Sequence, residues 1–263
     1  MNIFVFDIET IPDVDAGRKL LPFVQTNLSD NEIAEAMFNQ RRQEAGHEFL
    51  QHYLQKVVAI SAVLKTSDKI TVWSLGDEDS TEAELISRFF EGLNRFQPRL
   101  VSWNGTGFDL PVLHYRGLIN KISAPLYWEK GDNNNAFKWN NYTSRYHDRH
   151  TDIMDILAAY QPKANAPLDK IASLLDFPGK MGMSGAKVWE NYAAGNIKSI
   201  RDYCETDVLN TYLVYLRFEL FRGNLNLNEY NQSCDAVKDM LKNLAQPHLN
   251  EFLKQWEENE ERK

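Results

Sequence analysis

Three groups of residues in this chain have the types and spacing for chemistry. Asp7 and Glu9 stand two apart at the end of an apolar run over residues 3–6. If that run is a strand, both carboxylates leave on one face of a sheet. Two unpaired acids so placed repel each other and are costly to desolvate, unless the strand has simply reached solvent by residue 7. The same spacing at Asp30 and Glu32 falls in a polar helix start, where capping accounts for it. Asp109 follows Asn104-Gly105-Thr106-Gly107-Phe108 and precedes Leu110-Pro111. That pattern suits a helix N-cap with Asn104 as a turn residue, yet a two-glycine loop at a strand end also lets a ligand approach closely. Tyr203 and Asp207, four apart, share one face of a predicted helix. They either meet a common object or mark, separately, a core margin and a solvated face.

These residues need a scaffold. Residues 3–6 have the continuous apolar, β-branched and aromatic character of a strand buried on both faces. Ser29-Asp30-Asn31-Glu32 starts a helix, and helical composition continues to about residue 55, so 18–55 is expected as a helical insertion. Strands over 56–64 and 69–73 follow, joined by Thr66-Ser67-Asp68. An amphipathic helix then carries Leu85, Ile86, Phe89, Phe90 and Leu93 at helical spacing up to about Phe96. A strand over 99–103 leads into the Asn104 loop and a helix from Asp109 to about Ile119. Residues 121–150, rich in Asn, Gly, Trp and Tyr, are expected as a long, partly mobile loop. From Asp152 to about residue 220 the pattern is helical. Residues 223–263 form a C-terminal helical tail divided by Pro247. Its apolar Leu241, Leu244, Leu249, Phe252 and Trp256 suggest docking on the domain, and it ends in a charged run over 257–263. The fold class is therefore α/β, a mixed sheet flanked by helices.

Composition narrows the function. With 263 residues, 43% of them hydrophobic, the chain has enough apolar material for one sizeable domain. The apolar runs are too short to span a bilayer. The first residues carry neither a basic lead nor a small-residue cleavage pattern, so a mature, cytoplasmic protein is expected. Cys204 and Cys234 have no second cysteine nearby and are expected as reduced thiols, and His147 and His150 lack a helical zinc spacing. A formal charge of −8 opposes broad binding to a nucleic-acid backbone. That objection weakens where acids hold divalent cations, since each ion brings positive charge to the site.

The order of the three groups is more telling than any one of them. FDIET, NGTGFD and YCETD resemble the three motifs of the DEDD 3′→5′ exonucleases, in the tyrosine-bearing subgroup that includes the proofreading domains of family B DNA polymerases. The chain is most similar to stand-alone bacterial predicted exonucleases related to that polymerase domain. His150-Thr151-Asp152, Phe177-Pro178-Gly179-Lys180, Lys187-Val188-Trp189 and the stretch 200–217 fit the same set. The resemblance spans about residues 1–222, which would make that span the exonuclease domain. It implies a ribonuclease-H-like fold and two-metal phosphodiester hydrolysis at the 3′ end of single-stranded DNA or RNA, DNA being favoured. One Mg²⁺ or Mn²⁺ would be held by Asp7, Glu9 and Asp207 and a second by Asp7 and Asp109, with Tyr203 orienting the attacking water. Asp152 would support the site from outside the metal ligands. Asn104 and Phe108 would meet the substrate, although Phe108 is equally suited to a core. Lys180, Lys187, Arg145 and Arg149 are the nearest cations for phosphate. Two rivals remain: an RNA-trimming or oligoribonucleotide-degrading enzyme of the same mechanism, and a catalytically silent nucleic-acid-binding module.

Overall fold

The apolar opening run becomes the central strand of a sheet, and it extends further than its composition suggests. In the computed structural model, which describes residues 1–21 and 27–262, β1 is Ile3–Pro12, β2 is Gln55–Lys65, β3 is Ile70–Ser74, β4 is Arg99–Ser102 and β5 is His150–Asp152. They form one five-stranded sheet in the order β3-β2-β1-β4-β5. β2 is antiparallel to β1 and β3, whereas β4 runs parallel to both β1 and β5. This mixed sheet with helices on its faces is the ribonuclease-H-like α/β architecture.

The two neighbours of β1 differ in length, and that difference creates the site. β4 pairs with β1 only from Ile3 to Val5, while β2 accompanies β1 as far as Pro12. Asp7 and Glu9 therefore lie inside the strand and not, as expected, at its end. On one side they have β2; on the other the sheet has opened. The register slips between Glu9 and Thr10, a bulge of the kind that re-aims side chains beside functional sites.

The helices are α1 (Val14–Leu20), α2 (Asp30–Ala45), α3 (Glu82–Phe96), α4 (Asp109–Ile119), α5 (Ile153–Leu157), α6 (Leu168–Leu174), α7 (Val188–Ala193), α8 (Ile197–Phe221), α9 (Leu227–Leu244) and α10 (Pro247–Glu261). A capping box between Ser29 and Glu32 starts α2, and Gly46 in the left-handed region (φ 76°) ends it. The helical insertion is thus shorter than the composition to residue 55 implied; residues 22–26 within it lie outside the described residues, as does Lys263 in the terminal charged run.

The stretch 121–150 has little regular structure, as expected, but it is anchored. Tyr127, Phe137 and Tyr142 are buried, the Tyr142 hydroxyl donates to the Pro98 carbonyl at 2.8 Å, and Arg149 lies over the Phe137 ring at 4.0 Å. The C-terminal tail docks. Leu249, Phe252, Leu253 and Trp256 of α10 belong to the same buried cluster as Val208, Leu209 and Leu213 of α8. Each such side chain contributes roughly 1.5–3 kcal/mol of burial before chain entropy is subtracted.

Candidate active site

Helix α8 is mostly buried because it packs against β1, β2 and β3, and one of its half-buried faces lies near the acids of β1. That face presents Tyr203 and Asp207, one turn apart. Helix α4 comes from the other direction. Its first residue is Asp109, with Phe108 in the N-cap position, so the aspartate is not the helix cap that its sequence context suggested. The side chain instead accepts a hydrogen bond from the Ile8 amide at 3.2 Å. With β4 no longer alongside, that amide has no strand to bond to, and Asp109 takes the vacated position.

The preceding loop is shaped by Asn104 and Asp152. Asn104 adopts φ 63°, and its carbonyl accepts from the Gly107 and Phe108 amides at 3.0 and 2.9 Å. A side chain at Gly107 would collide with that of Asn104, which is why glycine stands there. Asp152, the N-cap of α5, accepts from the Asn104 amide at 3.0 Å, the Thr106 amide at 2.8 Å and the Thr106 hydroxyl at 2.5 Å. These bonds hold the turn that presents Phe108 and Asp109.

The four acids converge electrostatically. Burial pushes Asp7 well above the ordinary carboxylate range, and Asp109, Glu9 and Asp207 push it further. Glu9 is raised well above its usual value by burial, then by Asp207 and Asp109. Burial carries Asp109 to about 7 despite its amide bonds, and Asp207 to about 6 despite a Tyr203 hydrogen bond and the nearby Lys180 cation. The Tyr203 phenol is raised by burial and by Asp207, Glu9 and Asp7, so it stays protonated. Glu9 is only 8% exposed, and no hydrogen bond to its carboxylate contributes to its titration. A buried acid with no partner among the described residues is the mark of a site lacking its counter-charge, and the four acids offer it oxygen donors.

Around this cluster lie two recesses. One of about 420 Å³ is walled by Glu9, Phe38, Phe49, Phe108, Gly185 and Trp189, with Phe108 5.3 Å from Phe49 between ring centres. The other, about 150 Å³, is lined by Lys180, Tyr203 and Asp207 together with Asp169, Gly179 and Asn210. Of the expected phosphate contacts, Lys180 is therefore beside the acids. Arg145 is paired with Asp155 at 2.8 Å, and Arg149 donates to the Asn140 carbonyl at 2.6 Å, so Arg149 serves the 121–150 segment. Lys187 precedes α7 and is exposed. His147 and His150 are engaged separately, with the Asn141 amide and with Ser102.

Sequence reasoning missed two features. Cys204 Sγ lies 3.6 Å from Asp7 Oδ2; its place between Tyr203 and Asp207, in line with buried Ile200 and Val208 at helical spacing, was the available signal. Glu205 bonds Ser74 at 2.7 Å and His248 of α10 at 2.8 Å, tying the tail to the helix that carries Asp207. No local pattern announces a contact between residues so far apart in the chain.

Carboxylates from three elements thus gather beside the central strand of a mixed α/β sheet. The chain belongs to the family described as predicted 3′-5′ exonucleases related to the exonuclease domain of PolB, whose model matches residues 47–256. The match starts after β1, so the strand bearing Asp7 and Glu9 precedes it, and it runs through most of the C-terminal tail. A search of curated proteins finds no match. Among solved structures, the zinc ion-bound form of the E. coli ExoI-ssDNA complex is similar over 82% of this chain and 43% of that one, with 12% identity and a TM-score of 0.37. The chain spans less than half the length of that protein.

Proposed function

We propose that the protein is a metal-dependent 3′→5′ exonuclease acting on single-stranded nucleic acid, DNA in preference to RNA, in the manner of the tyrosine-bearing DEDD enzymes. The observation that carries this is the meeting of Asp7, Glu9, Asp109 and Asp207, from three separate elements, where the cation acting on them among the described residues is the exposed Lys180. Asp7, Glu9 and Asp207 would hold one divalent cation, and Asp7 with Asp109 a second. Bound there, such ions supply the Lewis-acid charge that activates water and stabilises the leaving oxygen.

The chain's own groups do the rest. Tyr203 stands one helical turn from Asp207 on α8, and its protonated hydroxyl would orient a water for in-line attack. Lys180 offers charge to a phosphate beside Asp207. The recess between Phe108, Phe49 and Trp189 offers faces on which a terminal base can stack, worth about 1–3 kcal/mol per base in single-strand binders. Asp152 fixes the Asn104 turn and so the position of Asp109.

The test is digestion of 5′-labelled single-stranded DNA and RNA with Mg²⁺ or Mn²⁺. The expected result is a ladder on DNA that shortens from the 3′ end, with RNA cut more slowly. Release of the labelled 5′ nucleotide first, or cutting of a closed circle, would defeat the stated polarity. Equal or faster loss of RNA would move the substrate to RNA while leaving the site assignment in place.

A further inference from the structure

Cys204 sits against the acids without any part in the hydrolysis proposed above. It is fully buried, with Sγ 3.4 Å from the Asp7 carbonyl oxygen and 3.6 Å from Asp7 Oδ2. A carboxylate oxygen of Asp7, one of Glu9 and the Cys204 sulfur all lie within 4.8 Å of one another. Glu9 gives independent reason to expect a ligand at this point, being buried and without a hydrogen-bond partner for its carboxylate among the described residues.

Two carboxylate oxygens and a sulfur are a mixed donor set. Mg²⁺ and Mn²⁺ prefer oxygen alone, whereas thiolates select zinc and heavier thiophilic ions. Tetrahedral zinc stands about 2.3 Å from sulfur and about 2.0–2.2 Å from oxygen, which sets neighbouring donors about 3.5 Å apart; Cys204 Sγ and Asp7 Oδ2 already stand at 3.6 Å. Closing the remaining gap needs only a small swing of the Glu9 side chain, which no hydrogen bond restrains.

We propose that Asp7, Glu9 and Cys204 form a site for a thiophilic divalent cation, zinc or cadmium, which competes with the oxygen-ligated pair for the same two carboxylates. The ligand set stands on the geometry; the competition rests on the proposed function, which assigns Asp7 and Glu9 to that pair. On binding, the Cys204 S–H bond breaks, the sulfur electron pair goes to the ion, and the proton passes to solvent. Nothing is oxidised or reduced. Cys234, on α9 beside Tyr230 and Lys238, has no carboxylate pair of this kind among the described residues and serves as the internal control.

The experiment titrates the metal-free full chain with cadmium and follows the ultraviolet thiolate-to-cadmium charge-transfer absorption. A saturating band is expected in wild type and in Cys234→Ser. It should vanish in Cys204→Ser, and in Glu9→Gln saturation should need at least about tenfold more cadmium, as loss of a ligating group requires. Excess Mn²⁺ should shift the wild-type midpoint upward. Absence of the band in folded wild type, or its persistence in Cys204→Ser, overturns the site. Should Cys204→Ser fail to fold, an unchanged midpoint in Glu9→Gln overturns it equally. Indifference to Mn²⁺ overturns the competition. Digestion and a Mn²⁺-induced rise in melting temperature are read separately on the same wild-type protein. With both present and the band absent, this site fails and the exonuclease reading stands; with the band alone, the reverse holds.

Discussion

β1 delivers buried acids at two places, and they are treated in opposite ways. Just beyond its end, Asp13 meets Arg116, which also binds Glu82, the latter at 2.6 Å. Burial opposes the Asp13 carboxylate too, but hydrogen bonds from Arg116 and the Ala16 amide outweigh it and lower its pKa. Glu82 further accepts from the Val57 amide and from Asn120, at 2.7 and 2.9 Å. Within the same strand, Asp7 and Glu9 face Asp109 and Asp207 with no buried cation among the described residues, and all four are raised. A buried acid that carries its own counter-ion is a joint; one without it leaves room for charge from outside. Cavity size does not separate the two. The recess over the Asp13 cluster, about 1010 Å³, exceeds the one beside Glu9, about 420 Å³.

Substitutions at the two places should therefore have opposite signs. Asp7→Asn removes an acid shared by both expected cations, and turnover should fall by about 10³-fold or more, since metal clamping supplies several kcal/mol of transition-state stabilisation. Its melting temperature in EDTA should nonetheless match or exceed that of wild type, and millimolar Mn²⁺ should raise it far less than it raises wild type. Equal Mn²⁺ shifts in the two proteins would remove the metal assignment. At the other place, Arg116→Met strands Asp13 and Glu82, and urea denaturation should show a loss of about 3–5 kcal/mol, the usual cost of breaking a buried pair. A loss under about 1 kcal/mol would erase the contrast drawn here.

Tyr203→Phe keeps the ring but loses the hydroxyl. Turnover measured where chemistry limits the rate should drop about 10–100-fold with little change in Mn²⁺ affinity. Unchanged turnover would reduce Tyr203 to a packing residue.

Stability against pH extends the same contrast. Asp109 and Asp207 have folded pKa values of about 7 and about 6, above the ordinary 3.9 or so of an unfolded aspartate. Between those values the folded state binds more protons than the unfolded, so stability is greatest at the acid end and declines as pH rises to about 7. In EDTA the wild-type melting temperature should fall as pH rises across that window. The slope should flatten in Asp109→Asn and in Asp207→Asn, and Mn²⁺ should cancel it. A wild type that gains stability with rising pH in EDTA would show that the Asp13 joint, whose lowered pKa works in that direction, outweighs the site.

Local pattern was enough for the elements and for naming the candidate acids. The apolar run before Asp7, the Ser29 capping box, the α3 stripe from Leu85 to Leu93 and the four-residue step from Tyr203 to Asp207 are all short-range features, set by strand and helix periodicity, and they appear in the fold where they were expected. Their limits were less legible. β1 continues past Asp7 because β2 pairs with it, and α2 stops at Gly46 although helical composition goes on. The motif order placed Asp109 in the site, but the propensity that marked it as a cap was overruled by the Ile8 amide, left without a strand partner where β4 ends. Arg149 was placed near phosphate by its charge and is instead held by the Asn140 carbonyl and the Phe137 ring. Cys204 against Asp7, and His248 on Glu205, join residues far apart in the chain. The sequence by itself determined the periodic elements and the types of group available for chemistry, because those follow from neighbours within a turn or two. Only the tertiary structure decided which acids share a cleft and which acquire an arginine, because charge and desolvation act across space, between elements whose separation along the chain carries no trace of their contact.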